Sequence, residues 1–334
     1  MKMDPISIIK KDMLEVIGLD EIKLKMEEKD ILTAYWGVSP IRNLNIGVLI
    51  PLLKIKDLLS IPLDVKIFIA DLHAIMDQGS SILVRIPARI IYYKFMLTVL
   101  LDLIGVSTHS QYFEFVRGSD LQLDRKYVLD LFSMSSIVST NQAKKVGSEI
   151  LKHDKDPKLS HLLYPLMQIL DETIIHADIQ IGDANHRKIF NMSRDYIELF
   201  GYDKCSYIIN PSVPSLCKNK EKLNKEDPFA VIEFHDDAKT IDTKIKNAYC
   251  IEGNTDPEAN PCIAIIKYIL FPIYGYFLTY DRYTDFETDW RLKKITTLQL
   301  KKTLALSLDL LIQPIRDAFY KNVNLYSEAF DTLK

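Results

Sequence analysis

Side chains able to do chemistry gather in a few short stretches of the sequence. Tyr164 and Gln168 stand four residues apart in a helical pattern, so both project from one helix face. Lys293, Lys294, Lys301 and Lys302 form a local basic cluster suited to phosphate contacts, with Tyr283, Phe286 and Trp290 just upstream as aromatic surfaces. The stretch 218–228, KNKEKLNKEDP, is rich in lysine and reads on composition alone as a solvated linker. His73 lies at the end of the segment ADLHA, whereas His109, His153, His161 and His235 lack partner spacing. Cys205, Cys217, Cys250 and Cys262 form no CxxC pair, which argues against a zinc site or a disulfide framework and for reduced thiols.

Stepping outward from these groups, strands alternate with helices in the first two thirds of the chain. Strands are expected at 31–37, 65–70, 112–117 and 177–181, and helices at 46–59, 81–104 and 187–200, with helices dominating 127–170. Residues 1–30 read as helix, with Ile9, Met13, Val16 and Ile17 at three-to-four spacing. Such alternation implies a parallel sheet with helices on its faces and a site outside the carboxyl ends of the strands. The last hundred residues carry helical periodicity at 242–250, 261–270 and 298–319.

With 334 residues, 48% hydrophobic and 26% charged, the chain has the composition of a folded globular protein of about two domains. A net charge of −3 excludes a uniformly basic surface but leaves room for a local basic face. The apolar stretch 90–106 is interrupted by Lys94 and Asp102 and falls short of the roughly 20 apolar residues of a membrane span, so it reads as a buried helix. The N-terminus lacks the apolar core and cleavage site of a secretion signal, and a cytoplasmic location without membrane contact is expected.

The segments YWGVSPIRNLNIGV, IFIADLHAIMD, RGSDLQL, LLYPLMQILDETIIHADIQIGD, HRKIF and NPSVPSL follow one another in an order that resembles tyrosyl-tRNA synthetases of the archaeal and eukaryotic type, over about residues 30–320. The resemblance implies an α/β fold: a class I Rossmann-like parallel sheet with helices on both faces, then a mostly helical anticodon-binding domain. The divisions expected are an N-terminal helical arm at 1–30, the catalytic domain at 31–217, a KMSKS-like loop at 218–228 and the anticodon-binding domain at 229–334. It implies activation of tyrosine by ATP with Mg2+, transfer to tRNA(Tyr), a homodimer, and no tightly bound cofactor or structural metal. The region 90–101 is the expected dimer interface, with intramolecular core as the other reading.

The same resemblance assigns residues. Tyr35 and Asp171 match the pair that bonds the substrate phenol, and Tyr164, Gln168 and His186 match positions around its amino group. Gly37, Asn45, Gly47, Gly182, Asn185, Val213 and Leu216 fall at the ATP site, with Asn45, Gly47, Lys222 and Lys225 in catalytic positions and Lys220 as a competitor. Gln299 and Trp290 fall at the anticodon end. Several positions depart from the family pattern. Asn45 replaces the leading histidine of the HIGH-type tetrad, and Gly182-Asp183-Ala184-Asn185-His186 stands for Gly-Gly-x-Asp-Gln. The KMSKS counterpart is degraded to lysines in a polar loop, and Gln299 replaces an anticodon-reading acid. These departures leave as the alternative a synthetase-like protein that binds tyrosine or tRNA and has lost adenylate formation.

Overall fold

The computed structural model describes residues 4–151, 156–217, 227 and 229–330. Among them, six strands form one sheet in the order β1-β6-β5-β2-β3-β4. The strands are β1 Glu15–Ile17, β2 Leu32–Val38, β3 Leu63–Ile69, β4 Phe113–Arg117, β5 Ile179–Asp183 and β6 Ser206–Asn210. All neighbouring pairs are parallel except β1 with β6. From β2 the chain builds outward through β3 and β4, then returns to lay β5 and β6 on the other side. The crevice between β2 and β5 is therefore the point where strand order reverses, and ligands of open α/β sheets bind there.

Side-chain alternation divides the sheet into two buried faces. Ala34, Trp36, Val65, Ile67, Ile179, Ile181 and Ile208 pack with α3 (Leu49–Leu58) and α5 (Ile86–Leu103). Tyr35, Phe68 and Tyr207 point the other way, where Tyr207 stacks on Phe190 of α10 (Arg187–Tyr196). Strands covered on both faces read as nearly continuous apolar runs, which is why SYIIN of β6 carries no alternation and was not anticipated as a strand.

The N-terminal segment is not helical throughout. α1 (Pro5–Lys10) and α2 (Leu19–Glu28) flank β1, which covers the outer edge of β6 in antiparallel register. An exposed edge would invite pairing with other chains, and pairing Val16 with Ile208 removes it. Gly18 makes the turn from β1 into α2 at φ +78°, where an added Cβ would sit 2.7 Å from Ser206 Oγ.

The C-terminal helices share one continuous apolar core with the sheet. These are α11 (Ala238–Asn247), α12 (Pro261–Ile265) running through a π turn into α13 (Phe271–Tyr274), α14 (Tyr283–Arg291), α15 (Thr297–Lys321) and α16 (Val323–Phe330). α16 and α15 both pack on α5, so Tyr92, Tyr93, Met96, Leu97, Leu100 and Leu101 are buried within the chain. For these six residues of 90–101 the intramolecular-core reading holds. Ile91 alone among the apolar residues of 90–101 is strongly exposed.

Candidate active site

A cavity of about 530 Å³ opens at the carboxyl ends of β2, β3, β5 and β6, where the strand order predicts a site. It brings together Tyr35 and Gly37 of β2, Asn45 and Gly47 before α3, and Gly182 and His186 at the end of β5. Val213 and, from α9 (Leu159–Ile174), Tyr164, Gln168 and Asp171 complete the set. These side chains come from segments as much as 178 residues apart, Tyr35 to Val213, and converge as the family pattern expects.

Asp171 is the centre of the cavity floor and is almost wholly buried. Its carboxylate accepts from Gln122 Nε2 at 2.7 Å and Tyr127 Oη at 2.9 Å, and meets His73 Nε2 at 2.8 Å. Gln122 ends α6 (Gly118–Gln122), and Tyr127 belongs to α7 (Arg125–Ile137). Two further motifs explain this placement. Asp71, which opens α4 (Asp71–Gln78) in the ADLHA segment, accepts from Ser119 N, Ser119 Oγ and Arg117 Nε at 2.6–2.8 Å, pinning the RGS turn that carries α6. Gly118 allows the close approach, since a Cβ there would meet Gln122 Oε1 at 2.8 Å and Phe68 at 3.0 Å. His73 thus orients Asp171, and its ring lies edge-on to Tyr164 at 4.4 Å.

The Tyr35 hydroxyl is buried in the same cavity with no hydrogen-bond partner among the described residues. Burial, then the Glu172 and Asp171 carboxylates, pushes this phenol well above its ordinary value, so it keeps its proton. Glu172 lies behind the floor, accepting from Ser193 Oγ at 2.8 Å and Tyr207 Oη at 3.1 Å. Burial outweighs those hydrogen bonds and raises the Glu172 carboxyl to about 8.

Two lining residues escaped the sequence reading. Gln180 and Asn210 are buried, and Gln180 Oε1 and Asn210 Oδ1 lack partners among the described residues. Both lie in segments that carry the resemblance, Gln180 within and Asn210 at the end of an otherwise apolar strand. An unpartnered buried acceptor costs about 1–3 kcal/mol, which a donor-rich ligand recovers.

Toward the mouth, Asn45 Oδ1 accepts from Gly47 N at 2.9 Å and so caps the turn Ile46–Val48. That fixes the amide orientation and leaves the Nδ2 hydrogens uncommitted among the described residues. Nearby, Asn43 Nδ2 lies 3.1 Å from His235 Nδ1, and His235 Nε2 lies 3.1 Å from Glu233. His235 therefore has partners that its spacing in the sequence conceals. Asp236, beside it, is paired with the buried Lys244 at 2.6 Å.

Other expected residues lie elsewhere. Leu216 is buried in the main core and does not line the cavity. Asn185 is exposed outside the lining residues. Lys220, Lys222 and Lys225 lie outside the described residues. Trp290 is fully enclosed, its indole Nε1 donating to Asn254 O at 2.8 Å, so it offers no open face to a base; its role is core packing. Gln299 is exposed in the first turn of α15. Lys301 donates to the carbonyls of Lys246 and Ala248, and Lys294 pairs with Asp289, so both ammonium groups have partners within the protein.

Residues 27–312 match the family described as class I tRNA synthetases (W and Y), and the chain belongs to that family. Within it, the chain falls with tyrosyl-tRNA synthetases of the archaeal and eukaryotic type, which are aminoacyl-tRNA ligases. It is 32% identical over 97% of its length to a probable cytoplasmic tyrosine-tRNA ligase of Encephalitozoon cuniculi, covering 98% of that protein. Against the cytoplasmic tyrosine-tRNA ligase of Saccharomyces cerevisiae it is 32% identical, covering 94% of this chain and 84% of the relative. The crystal structure of tyrosyl-tRNA synthetase from Archaeoglobus fulgidus with L-tyrosine superposes with a TM-score of 0.85 at 26% identity, covering 94% of this chain and 98% of that one.

Proposed function

We propose that the chain binds tyrosine in the cavity and activates it with ATP, supplied with Mg2+ as substrate, before transfer to tRNA(Tyr) in the cytoplasm. The observation that carries this reading is that an unpartnered phenolic donor and a fixed carboxylate acceptor line the same cavity. Tyr35 and Asp171 then satisfy a substrate phenol from both sides. Phenylalanine would leave both groups desolvated and unpaired, and sites built this way discriminate by on the order of 10⁴ to 10⁵.

In the reaction, the tyrosine carboxylate attacks the α-phosphorus of ATP, and the bond to pyrophosphate breaks to give tyrosyl-adenylate. Attack by a 3′-terminal hydroxyl of tRNA on the acyl carbon then releases AMP. Tyr164, Gln168 and His186 hold the amino group. Asn45 donates through Nδ2 to phosphate, Gly47 and Gly182 allow close approach of the nucleotide, and Gly37 and Val213 border it. Lys222 and Lys225 offset charge on the departing pyrophosphate, an electrostatic role needing position more than a particular neighbour. The C-terminal helices, with Gln299 exposed at the start of α15, form the tRNA-reading face. A homodimer would cover the exposed Leu129 and Phe132 on α7.

Calorimetry with tyrosine and phenylalanine tests the pocket. Tyrosine is expected to bind and phenylalanine to bind at least about 10³-fold more weakly; equal affinities would overturn the reading.

A further inference from the structure

The two departures Asp183 and His186 sit in one short turn. β5 ends at Asp183, a single 3₁₀ turn spans Ala184–His186, and α10 follows. Asp183 Oδ1 accepts from Asn185 N at 2.9 Å and lies 2.9 Å from His186 Nδ1. The His186 ring lies nearly parallel to Phe190, 19° between planes and 5.8 Å between centroids. Phe190 in turn stacks on Tyr207 at 4.2 Å, so the imidazole plane rests on a buried aromatic pile. Both Asp183 and His186 line the cavity beside Tyr164 and Gln168.

The geometry favours Nδ1 as the ring nitrogen that carries the proton. The Asp183 backbone N–H lies 3.4 Å from the same Nδ1, but one ring nitrogen has a single in-plane site and cannot both donate and accept there. A 2.9 Å contact to a carboxylate is the stronger of the two, so Nδ1 donates. With Nδ1–H committed to Asp183, the Nδ1–H tautomer of His186 leaves Nε2 as an acceptor.

We propose that Asp183 is a positioning residue, fixing His186 in the Nδ1–H tautomer so that Nε2 accepts from the α-ammonium of tyrosine. The proposal rests on His186 being an amino-group contact. A glutamine carries its acceptor oxygen whatever its neighbours, whereas an imidazole aimed at an ammonium presents an acceptor in one tautomer and a repelling N–H in the other. Aspartate where the family has glycine, and histidine where it has glutamine, are then one coupled change rather than two losses.

A double-mutant cycle in the full chain tests this, with dissociation constants for L-tyrosine and for 3-(4-hydroxyphenyl)propionate, which lacks the amino group. Asp183→Gly is expected to weaken tyrosine binding about tenfold with His186 present, and less than about twofold in the His186→Gln background. Asp183→Asn, which keeps an acceptor for Nδ1–H, is expected to stay within about threefold of the natural chain and guards against a folding defect in the glycine variant. The ligand without an ammonium should show no coupling. Equal losses in both backgrounds, an equal loss for the deaminated ligand, a loss in Asp183→Asn matching that in Asp183→Gly, or no loss at all would overturn the proposal. If His186→Ala leaves tyrosine affinity unchanged, the amino-group reading of His186 itself fails, an outcome distinct from His186→Ala weakening binding while Asp183→Gly does not.

Discussion

The floor and the mouth of the cavity obey different rules. At the floor, Asp171 holds Gln122, Tyr127 and His73 at 2.7–2.9 Å in a buried network. At the mouth, the Asp183 and His186 side chains are 41% and 26% exposed, and Asn185 is open to solvent. Asp171, Gln122 and His73 fall in segments that carry the resemblance, whereas Asp183, Asn185, His186 and Asn45, which depart from it, sit toward the mouth or outside the cavity. Changing one member of a buried network strands the others at about 1–3 kcal/mol each, while a group that water can reach exchanges one donor or acceptor for another cheaply. Physical enclosure thus separates a floor that tolerates little change from a mouth that tolerates more.

The largest effect is expected at the centre of the floor. Asp171→Ala leaves two donors and His73 without their common acceptor, so tyrosine affinity should fall by about 10³-fold or more and the folded state should lose about 3 kcal/mol. Calorimetry and denaturant titration measure the two losses, and a change below about tenfold in affinity would break the comparison.

Next is the buried carboxyl behind the floor. The folded chain holds Glu172 at about 8 against an ordinary 4.5, so it keeps a proton that the unfolded chain releases. That contribution is fully present below about 4.5 and is lost as pH rises through about 8, on the order of a few kcal/mol. Glu172→Gln should flatten this decline. Melting temperatures at pH 5 and pH 8.5 compare the two proteins, and parallel declines would show that Glu172 does not carry it.

The smallest of the three is at the mouth. Asn45→Ala removes a turn cap and a phosphate donor, and should slow adenylate formation about tenfold with tyrosine affinity unchanged. A loss as large as that of Asp171→Ala would erase the distinction between floor and mouth.

The same enclosure decides what could be read in the sequence. The βα alternation announced the parallel sheet, and the blocks ADLHA and YPLMQ…D located the floor because buried networks constrain residue type and spacing together. β6 was not anticipated because a strand covered on both faces has no period of two. Residues 15–17 read as helix because three residues are too few to display a period, and only the need of β6 for an edge partner makes them a strand. Trp290 could not be told from a stacking platform, since an indole is equally suited to a core or a base; only the carbonyl of Asn254 placed against its Nε1 decides. The pairing of Asp183 with His186 was open to view as two residues three apart, but each looked like a separate loss until the turn brought them to 2.9 Å.

Tyrosine-dependent exchange between pyrophosphate and ATP tests the central claim most directly, because it reports adenylate formation without requiring tRNA. The account predicts exchange well above background with tyrosine and none with phenylalanine at equal concentration. Background exchange alone, in protein that still binds tyrosine, would contradict it.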